Sequence, residues 1–468
     1  SGLSTLPAGS FRSTYSLQSV EIPANIISIE MSAFAESGLS TLIFAENSQL
    51  LEIGSSAFAF CHIESVIFPQ SLFVIGGGAF AENCALSSVV FAADSNLQYI
   101  GGNAFANTSS LKQISLPSRL VQLGGFAFAN SGLTGVVTLP ASLNDLGAGA
   151  FASCHSLTDI VVEQGNNVYC DVDGVVYTLD GKMLVEYPAG KDCSDYTVID
   201  GTEQIFEDAF YGSYNLNYVY LPQSLQEIQR EAFYSVVNLY SIDIPDNVVQ
   251  ISNYAFANDY NLSSINFTEN SKLSRISFAA FANSGICTFR VPANVSTIAQ
   301  SAFEGCRNLN SVTFAANSKV QSISAYMFYG ANHLQTITFE RGSALTSIQA
   351  HALEGMSSLV SVDFGDAKLT NIDNYAFRYC ESLQSLTIPE GVTYIGRFAF
   401  YGNTSLSRLD LPTSIDYIGR YAFYGTTDMN VYFAADLLPE HLQENWDRGI
   451  AGYYVGVTDV LTNGDWSY

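Results

Sequence analysis

Apolar and polar residues follow one another along this chain in an order that repeats from end to end. A short run of period two, such as Ile114 and Leu116 or Leu386 and Ile388, is followed by proline, and then by a second apolar pair that ends in Ile-Gly or Leu-Gly. Nearly every unit closes on Ala-Phe. Aligned on that phenylalanine, the unit reads L-x-x-I-x-L-P-x-x-L-x-x-I-G-x-x-A-F-x-x-C/N, as in Leu111, Ile114, Leu116, Pro117, Leu120, Leu123, Gly124 and Phe128. The slot is filled by Phe34, Phe58, Phe80, Phe105, Phe128 and Phe151, and again by Phe210, Phe233, Phe256, Phe281, Phe303, Phe328, Phe377, Phe400 and Phe423. Phe11 opens the series, and Leu353 stands where the unit after Phe328 needs a residue. Steps run from 22 to 25 residues, with one gap of 59 between Phe151 and Phe210.

The period-two run predicts a short strand with one buried face. Proline cannot donate to a ladder and ends the strand. A second extended piece follows, and G-x-x-A-F-x-x reads as a single helical or 3₁₀ turn. No unit can bury its apolar face alone, so a period in this range predicts a solenoid of stacked coils, about 17 by the count of filled slots. The expected organisation is a first half over 1–162, an insert over 163–205, a second half over 206–433, and a cap or junction to a further domain over 434–468.

In the insert, Asp173-Gly174 and Asp180-Gly181 are hairpin-turn pairs between alternating apolar residues. They predict an antiparallel meander of Val168–Tyr169, Val175–Tyr177 and Leu184–Tyr187. After Phe433 the repeat fails, and Leu438–Trp446 reads as a short helix or turn covering the last coil. The opening Ser-Gly-Leu-Ser-Thr-Leu-Pro starts within a unit, and Asn463–Tyr468 looks like the start of another strand. The chain therefore reads as a piece of a longer protein whose signal and anchor lie elsewhere.

Charge narrows the partners. Net charge is −26, and charged residues are only 13% of the chain, about half the usual share. That balance opposes nucleic acid and anionic lipid. No run of about 18 apolar residues offers a membrane span. The five histidines, His62, His155, His333, His351 and His441, have no nucleophile at a recognisable spacing. No G-x-S-x-G, phosphate loop or H-E-x-x-H occurs. The expectation is no catalysis, no cofactor and no metal.

Cys61, Cys154, Cys306 and Cys380 sit three residues after the slot aromatic, in phase with the repeat, and read as small buried residues. Cys170 and Cys193 bracket the insert out of phase, and are a candidate disulfide in an oxidising compartment. The Cys-His pairs at 61–62 and 154–155 occupy equivalent slots in distant units, so they do not converge on one metal.

Solenoids bind through extended faces. A Ser/Thr ladder (Ser19, Thr41, Ser65, Ser88 and their later equivalents) precedes the central strand residue, and reads as structural. The residue after the centre faces outward. In the first half it is Ile43, Ile67, Val90, Ser115, Val161 and Tyr220; in the second half it is mainly Asp, Asn and Thr. Exposed Ile and Val form either ordinary β surface or an apolar contact strip. The residue after the slot phenylalanine changes from Ala to Tyr at Tyr211, Tyr234, Tyr329, Tyr401 and Tyr424. Such a flank either packs between coils or offers amphipathic contact area.

The consensus resembles the BspA-like, Treponema pallidum type, leucine-rich repeats, and the likeness covers nearly all of the chain outside the insert and tail. Val168–Lys191, with V-Y-x-x-x-D-G-V-V-Y and Y-P-A-G-K, also looks like a segment found within such arrays. The resemblance implies a right-handed α/β leucine-rich-repeat solenoid carrying a β-hairpin insert. It implies a secreted or surface-exposed microbial protein, with adhesion to host matrix proteins, host cell-surface proteins or other microbes as its role. It transfers no binding residue. A glycan- or mucin-binding module using the Tyr flank, and a structural spacer displaying another domain, are the alternatives.

Overall fold

The computed structural model describes residues 2–426 and 428–456. The chain forms two compact units, Ser1–Leu239 and Tyr240–Tyr468. Both are built from parallel strands, in a solenoid of about 20 turns, and no helix occurs among the described residues.

Most coils contribute a two-residue and a longer strand; the one holding Leu111–Leu116 has only the short one. In the N-terminal unit seven short strands, from Thr5–Leu6 through Ser28–Ile29 and Glu52–Ile53 to Asp145–Leu146, make one parallel sheet. The longer strands Ser19–Ile22, Thr41–Phe44, Ser65–Phe68 and Ser88–Phe91 make another. In the C-terminal unit, six short strands run from Ser322–Ile323 to His441–Leu442. Thr288–Val291, Ser311–Phe314, Thr336–Phe339 and Ser361–Asp363 form one of its longer-strand sheets.

The consensus apolar positions all point inward. In one coil Leu111, Leu120, Leu123, Ala127 and Phe128 are fully buried. The slot rings lie face to face between coils: Phe34–Phe58 at 5.1 Å and 6°, Phe105–Phe128 at 5.2 Å and 6°, Phe377–Phe400 at 5.1 Å and 9°. Each offset-stacked pair contributes about 0.5–1.5 kcal/mol beyond burial.

The Ala-Phe turn is not the helical turn expected. Its backbone N–H groups alternate between two partners. Ser32, Phe34 and Glu36 donate to Ser55, Ala57 and Ala59 of the next coil at 2.9, 2.8 and 2.8 Å. Ala33 and Ala35 instead close tight turns onto Glu30 and Ser32. The residues two before and two after the phenylalanine take left-handed backbone, as at Ser32 (φ 55°) and Glu36 (φ 61°). Each such residue costs about 1–2 kcal/mol, which the cross-coil bonds offset. A helix would turn every donor inward and leave neighbouring coils unjoined on this edge.

Glycine in Ile-Gly serves contact, not bending. A Cβ on Gly124 would stand 2.3 Å from the Gly102 nitrogen of the preceding coil. On Gly76 it would stand 2.6 Å from the Ser55 nitrogen.

The gap of 59 residues hides a coil. Tyr169–Val172, Val175–Thr178 and Met183–Glu186 form the antiparallel meander. The third strand, however, also pairs in parallel with Gln204–Ile205, placing Leu184 beside Ile205. The buried Tyr187 then occupies the phenylalanine slot: its N–H donates to Ala209 at 2.8 Å, and its ring lies 5.0 Å from Phe210. Asp195–Thr197 supplies the longer strand beside Tyr218–Tyr220. Residues 183–205 are thus a coil in step with the next one, and the hairpin is wedged before it.

The expected cap over Leu438–Trp446 is another coil. His441–Leu442 pairs with Tyr417–Ile418, and Gly452–Tyr454 pairs with Asn430–Tyr432. Trp446, 7% exposed, stands one residue before the position that this register makes the slot, and its ring meets Phe423 edge-on at 6.3 Å. The strand expected at Asn463–Tyr468 lies outside the described residues.

Candidate functional site

The alternation of each longer strand decides what reaches solvent. Val20, Leu42, Val66 and Val89 turn inward or partly inward, and the next residue turns out. Backbone register aligns Glu21 with Ile43, and Ile67 with Val90. Ile43, Ile67 and Val90 are 51, 69 and 45% exposed on three successive coils. Beside them lies an open depression of about 820 Å³, with Phe44, Phe68 and Pro69 in its lining and Glu46 and Glu64 on it. Phe68 stacks on Phe91 at 5.2 Å, which stiffens one wall.

The apolar row does not continue unbroken. Ser115 and Thr138 interrupt it before Val161, which pairs with Thr138, and Tyr220 pairs with Thr197. Val161 and Tyr220 are exposed, but stand apart from the first three. In the C-terminal unit the same row is polar from Asp243 to Asp410, where Asn266 donates to Asp243 at 2.8 Å and Arg290 holds Glu340 through two bonds at 2.6 and 3.0 Å, and it ends in the stacked Tyr432 and Tyr454. The Ser/Thr ladder is in register, Ser19 with Thr41, Thr41 with Ser65, Ser65 with Ser88. The hydroxyls that fasten one coil to another sit one residue earlier: Ser40 donates to the Gln18 carbonyl, and Ser87 to that of Glu64.

The tyrosine flank separates by unit. Tyr211 and Tyr234 are half-buried and stacked at 4.8 Å, and burial pushes the Tyr211 hydroxyl up to about 12. Tyr329 and Tyr424 are exposed, and Tyr401 is half-buried against Tyr424 at 5.4 Å. The sequence reading passed over His351, Tyr375 and Phe398, which join Tyr326 and Tyr421 in one ring column. The signal was available two residues before each slot.

Buried carboxylates stand where the hairpin enters the stack. Glu186 is fully enclosed; its Oε1 accepts the Phe151 N–H at 3.0 Å, the bond that a neighbouring backbone carbonyl takes in other coils. Burial raises its pKa well above the usual range, and Asp208 adds to the shift. Asp208, 1% exposed at φ 58°, has neither oxygen hydrogen-bonded to a donor among the described residues. Burial pushes it up to about 7, with Glu231 adding and Arg230, 3.7 Å away, opposing.

The phased cysteines are internal donors. Cys61, Cys154, Cys306 and Cys380 bond the carbonyl of the preceding coil's slot residue at 3.0–3.2 Å. Asn83 uses the same position to reach the Phe58 carbonyl at 2.8 Å. Desolvation pushes Cys154 up to about 12 and Cys306 to about 11. Cys170 and Cys193 are free here: Cys170 faces the Thr178 carbonyl at 3.5 Å, and Cys193 the Tyr187 hydroxyl at 3.1 Å. His155 stacks on Tyr214 at 4.2 Å. Among the described residues no group of three or more His, Cys, Asp or Glu is placed to hold a metal.

Comparison with known proteins agrees with this architecture. A search of curated proteins finds no match. Two solved structures share the fold. The pneumococcal vaccine antigen PcpA is 23% identical, over 80% of this chain and 75% of its own, with a TM-score of 0.50. A leucine-rich repeat protein from Eubacterium ventriosum is 20% identical, over 82% of this chain and 84% of its own, with a TM-score of 0.51. The profile of the BspA type leucine rich repeat region matches residues 4–94, 82–171, 189–310 and 300–430. With coils, slot residues and profile in agreement over most of its length, the chain belongs to the BspA-type leucine-rich-repeat family.

Proposed function

We propose that this chain is a non-catalytic protein-binding module of a secreted or surface-exposed microbial protein, serving adhesion to host matrix or cell-surface proteins or to other microbes. One observation carries the reading. Ile43, Ile67 and Val90 stand exposed on three adjacent coils, the first two lining a depression edged by Glu46 and Glu64. Contiguous exposed apolar residues with a polar rim suit a protein contact. The acidic rim suits a partner whose apolar anchors are flanked by lysine or arginine. Burying each isoleucine contributes about 1.5–3 kcal/mol.

The test is binding of the folded chain to immobilised extracellular matrix proteins, with Ile43→Asp/Ile67→Asp alongside. The expected result is saturable binding that the double variant weakens by roughly tenfold or more. Absence of binding at roughly tens of micromolar, or equal binding by the variant, sinks the strand-face assignment and favours a spacer role.

A further inference from the structure

On the turn edge of the C-terminal unit, the position two before the slot residue holds Tyr326, His351, Tyr375, Phe398 and Tyr421 in five successive coils. Each has left-handed backbone, with φ of 55, 61, 61, 56 and 57°. In the N-terminal unit the first five equivalents are the small residues Gly9, Ser32, Ser56, Gly78 and Asn103, and Phe126 follows without an aromatic on either side of it in the series. The five rings make one column, with successive centroids 5.1, 4.7, 5.3 and 5.5 Å apart and planes within 27°. Left-handed backbone costs each residue about 1–2 kcal/mol, and each stacked pair returns about 0.5–1.5 kcal/mol. The left-handed backbone is common to coils in both units and is held by their cross-coil bonds; what sets these five coils apart is an unbroken run of stacked rings along one edge.

Stacking occupies the ring faces. What remains for a ligand is ring edges, the positive rim of the aromatic quadrupole, together with hydroxyls. Guanidinium groups lie along the same column, one per coil over four coils. Arg378 stands over Tyr379 at 4.7 Å, Arg397 over Phe398 at 4.7 Å, Arg420 over Tyr421 at 4.8 Å, and Arg448 over Tyr424 at 5.4 Å. Arg378 is bound to Glu354 at 2.9 Å. Arg397, Arg420 and Arg448 join no ion pair among the described residues. Glu444 and Asp447 neighbour Arg448 in sequence, which leaves Arg397 and Arg420 as the centre of positive charge. The Arg420 guanidinium holds the Tyr421 hydroxyl below the usual phenol range. All this sits on a chain with 18 basic and 44 acidic side chains.

We propose that this edge binds a linear acidic glycan, its sulfates or carboxylates meeting successive guanidiniums. Coils repeat at about 4.8 Å, close to the length of one sugar unit, so a polymer with regularly spaced anions keeps register with Arg397 and Arg420, which hold the same position in successive coils, while Arg378 and Arg448 stand after the slot; an irregular acidic peptide does not keep that register. Arginine's planar fork takes two oxygens of such a group at once. Nucleic acid fits less well, because the ring faces its bases need are already stacked. The surface is separate from the strand face of the N-terminal unit, so the two assignments stand or fall apart.

The experiment titrates the full chain with size-defined heparin oligosaccharides, which carry anionic groups on successive sugars, by calorimetry at low and at moderate salt. Single-stranded DNA and polyglutamate are the competitors, and circular dichroism checks each variant's fold. The expected result is saturable glycan binding that Arg397→Gln/Arg420→Gln weakens by roughly tenfold or more, with the salt slope falling by about 2. Ile43→Asp/Ile67→Asp leaves it unchanged. No glycan binding at low salt, undiminished binding by the arginine double variant, or equal or tighter binding of DNA or polyglutamate overturns the proposal.

Discussion

Replacing Asp208 by asparagine should stabilise the N-terminal unit at neutral and mildly alkaline pH, and leave its stability in acid unchanged. Asp208 is 1% exposed, and its carboxyl is held at about 7 against an ordinary 3.8. A folded-state value above the unfolded one means that the folded chain holds the proton longer. The stability linked to it is complete below about pH 4, falls as pH rises towards 7, and stays flat beyond. The shift of about 3 units corresponds to roughly 4 kcal/mol at pH 8, an upper bound because a buried site relaxes or admits water when charged. Asparagine has nearly the same shape, cannot ionise, and accepts the left-handed backbone seen at φ 58°. Urea unfolding of the unmodified chain and of Asp208→Asn, followed by circular dichroism from pH 4 to 8, reads the difference directly. The two curves should coincide at the acid end and separate by about 2–4 kcal/mol at the alkaline end. Parallel pH profiles, or a variant less stable at pH 8, would show that the carboxyl is not desolvated as described. Glu186→Gln should act in the same direction, since glutamine Oε1 still accepts the Phe151 N–H.

Gly124→Ala should lower stability by about 1–3 kcal/mol in thermal unfolding, because its methyl would meet the backbone of the preceding coil at 2.3 Å. A neutral result would mean that adjacent coils separate readily there. Thiol labelling of the native chain near pH 8 should modify the exposed Cys84 and Cys287 quickly, and spare Cys154, Cys306 and Cys380 until denaturant is added. Rapid labelling of the buried three would overturn their placement as internal donors.

The repeat made most of this fold legible. Its apolar positions located the core, because every coil repeats the same inward residues, and period-two alternation located the exposed Ile43, Ile67 and Val90. Two coils escaped, for one reason. In one, Glu186-Tyr187 stands where Ala-Phe is expected, and in the other, Trp446-Asp447 does, so neither shows the pair. Core filling between coils depends on volume, which tyrosine and tryptophan also supply. The turn was misread because serine, glutamate and tyrosine carry no local signal for left-handed backbone; the bonds that hold them there come from the next coil. The ring column of the C-terminal unit was visible only in part, since its members share no residue type.

The permissiveness of the slot bears on how such chains change over generations. Phenylalanine, Leu353 and Tyr187 all occupy it between coils that are otherwise alike. A coil meets its neighbours through an interface that does not depend on which neighbour it has. Duplicating or deleting the stretch of gene that encodes one coil leaves both flanking surfaces matched, so unequal crossing-over can lengthen or shorten the array without redesigning a core. Surface residues carried by each coil, the isoleucine row at one end and the arginine–aromatic column at the other, can then be copied, spread or discarded as units.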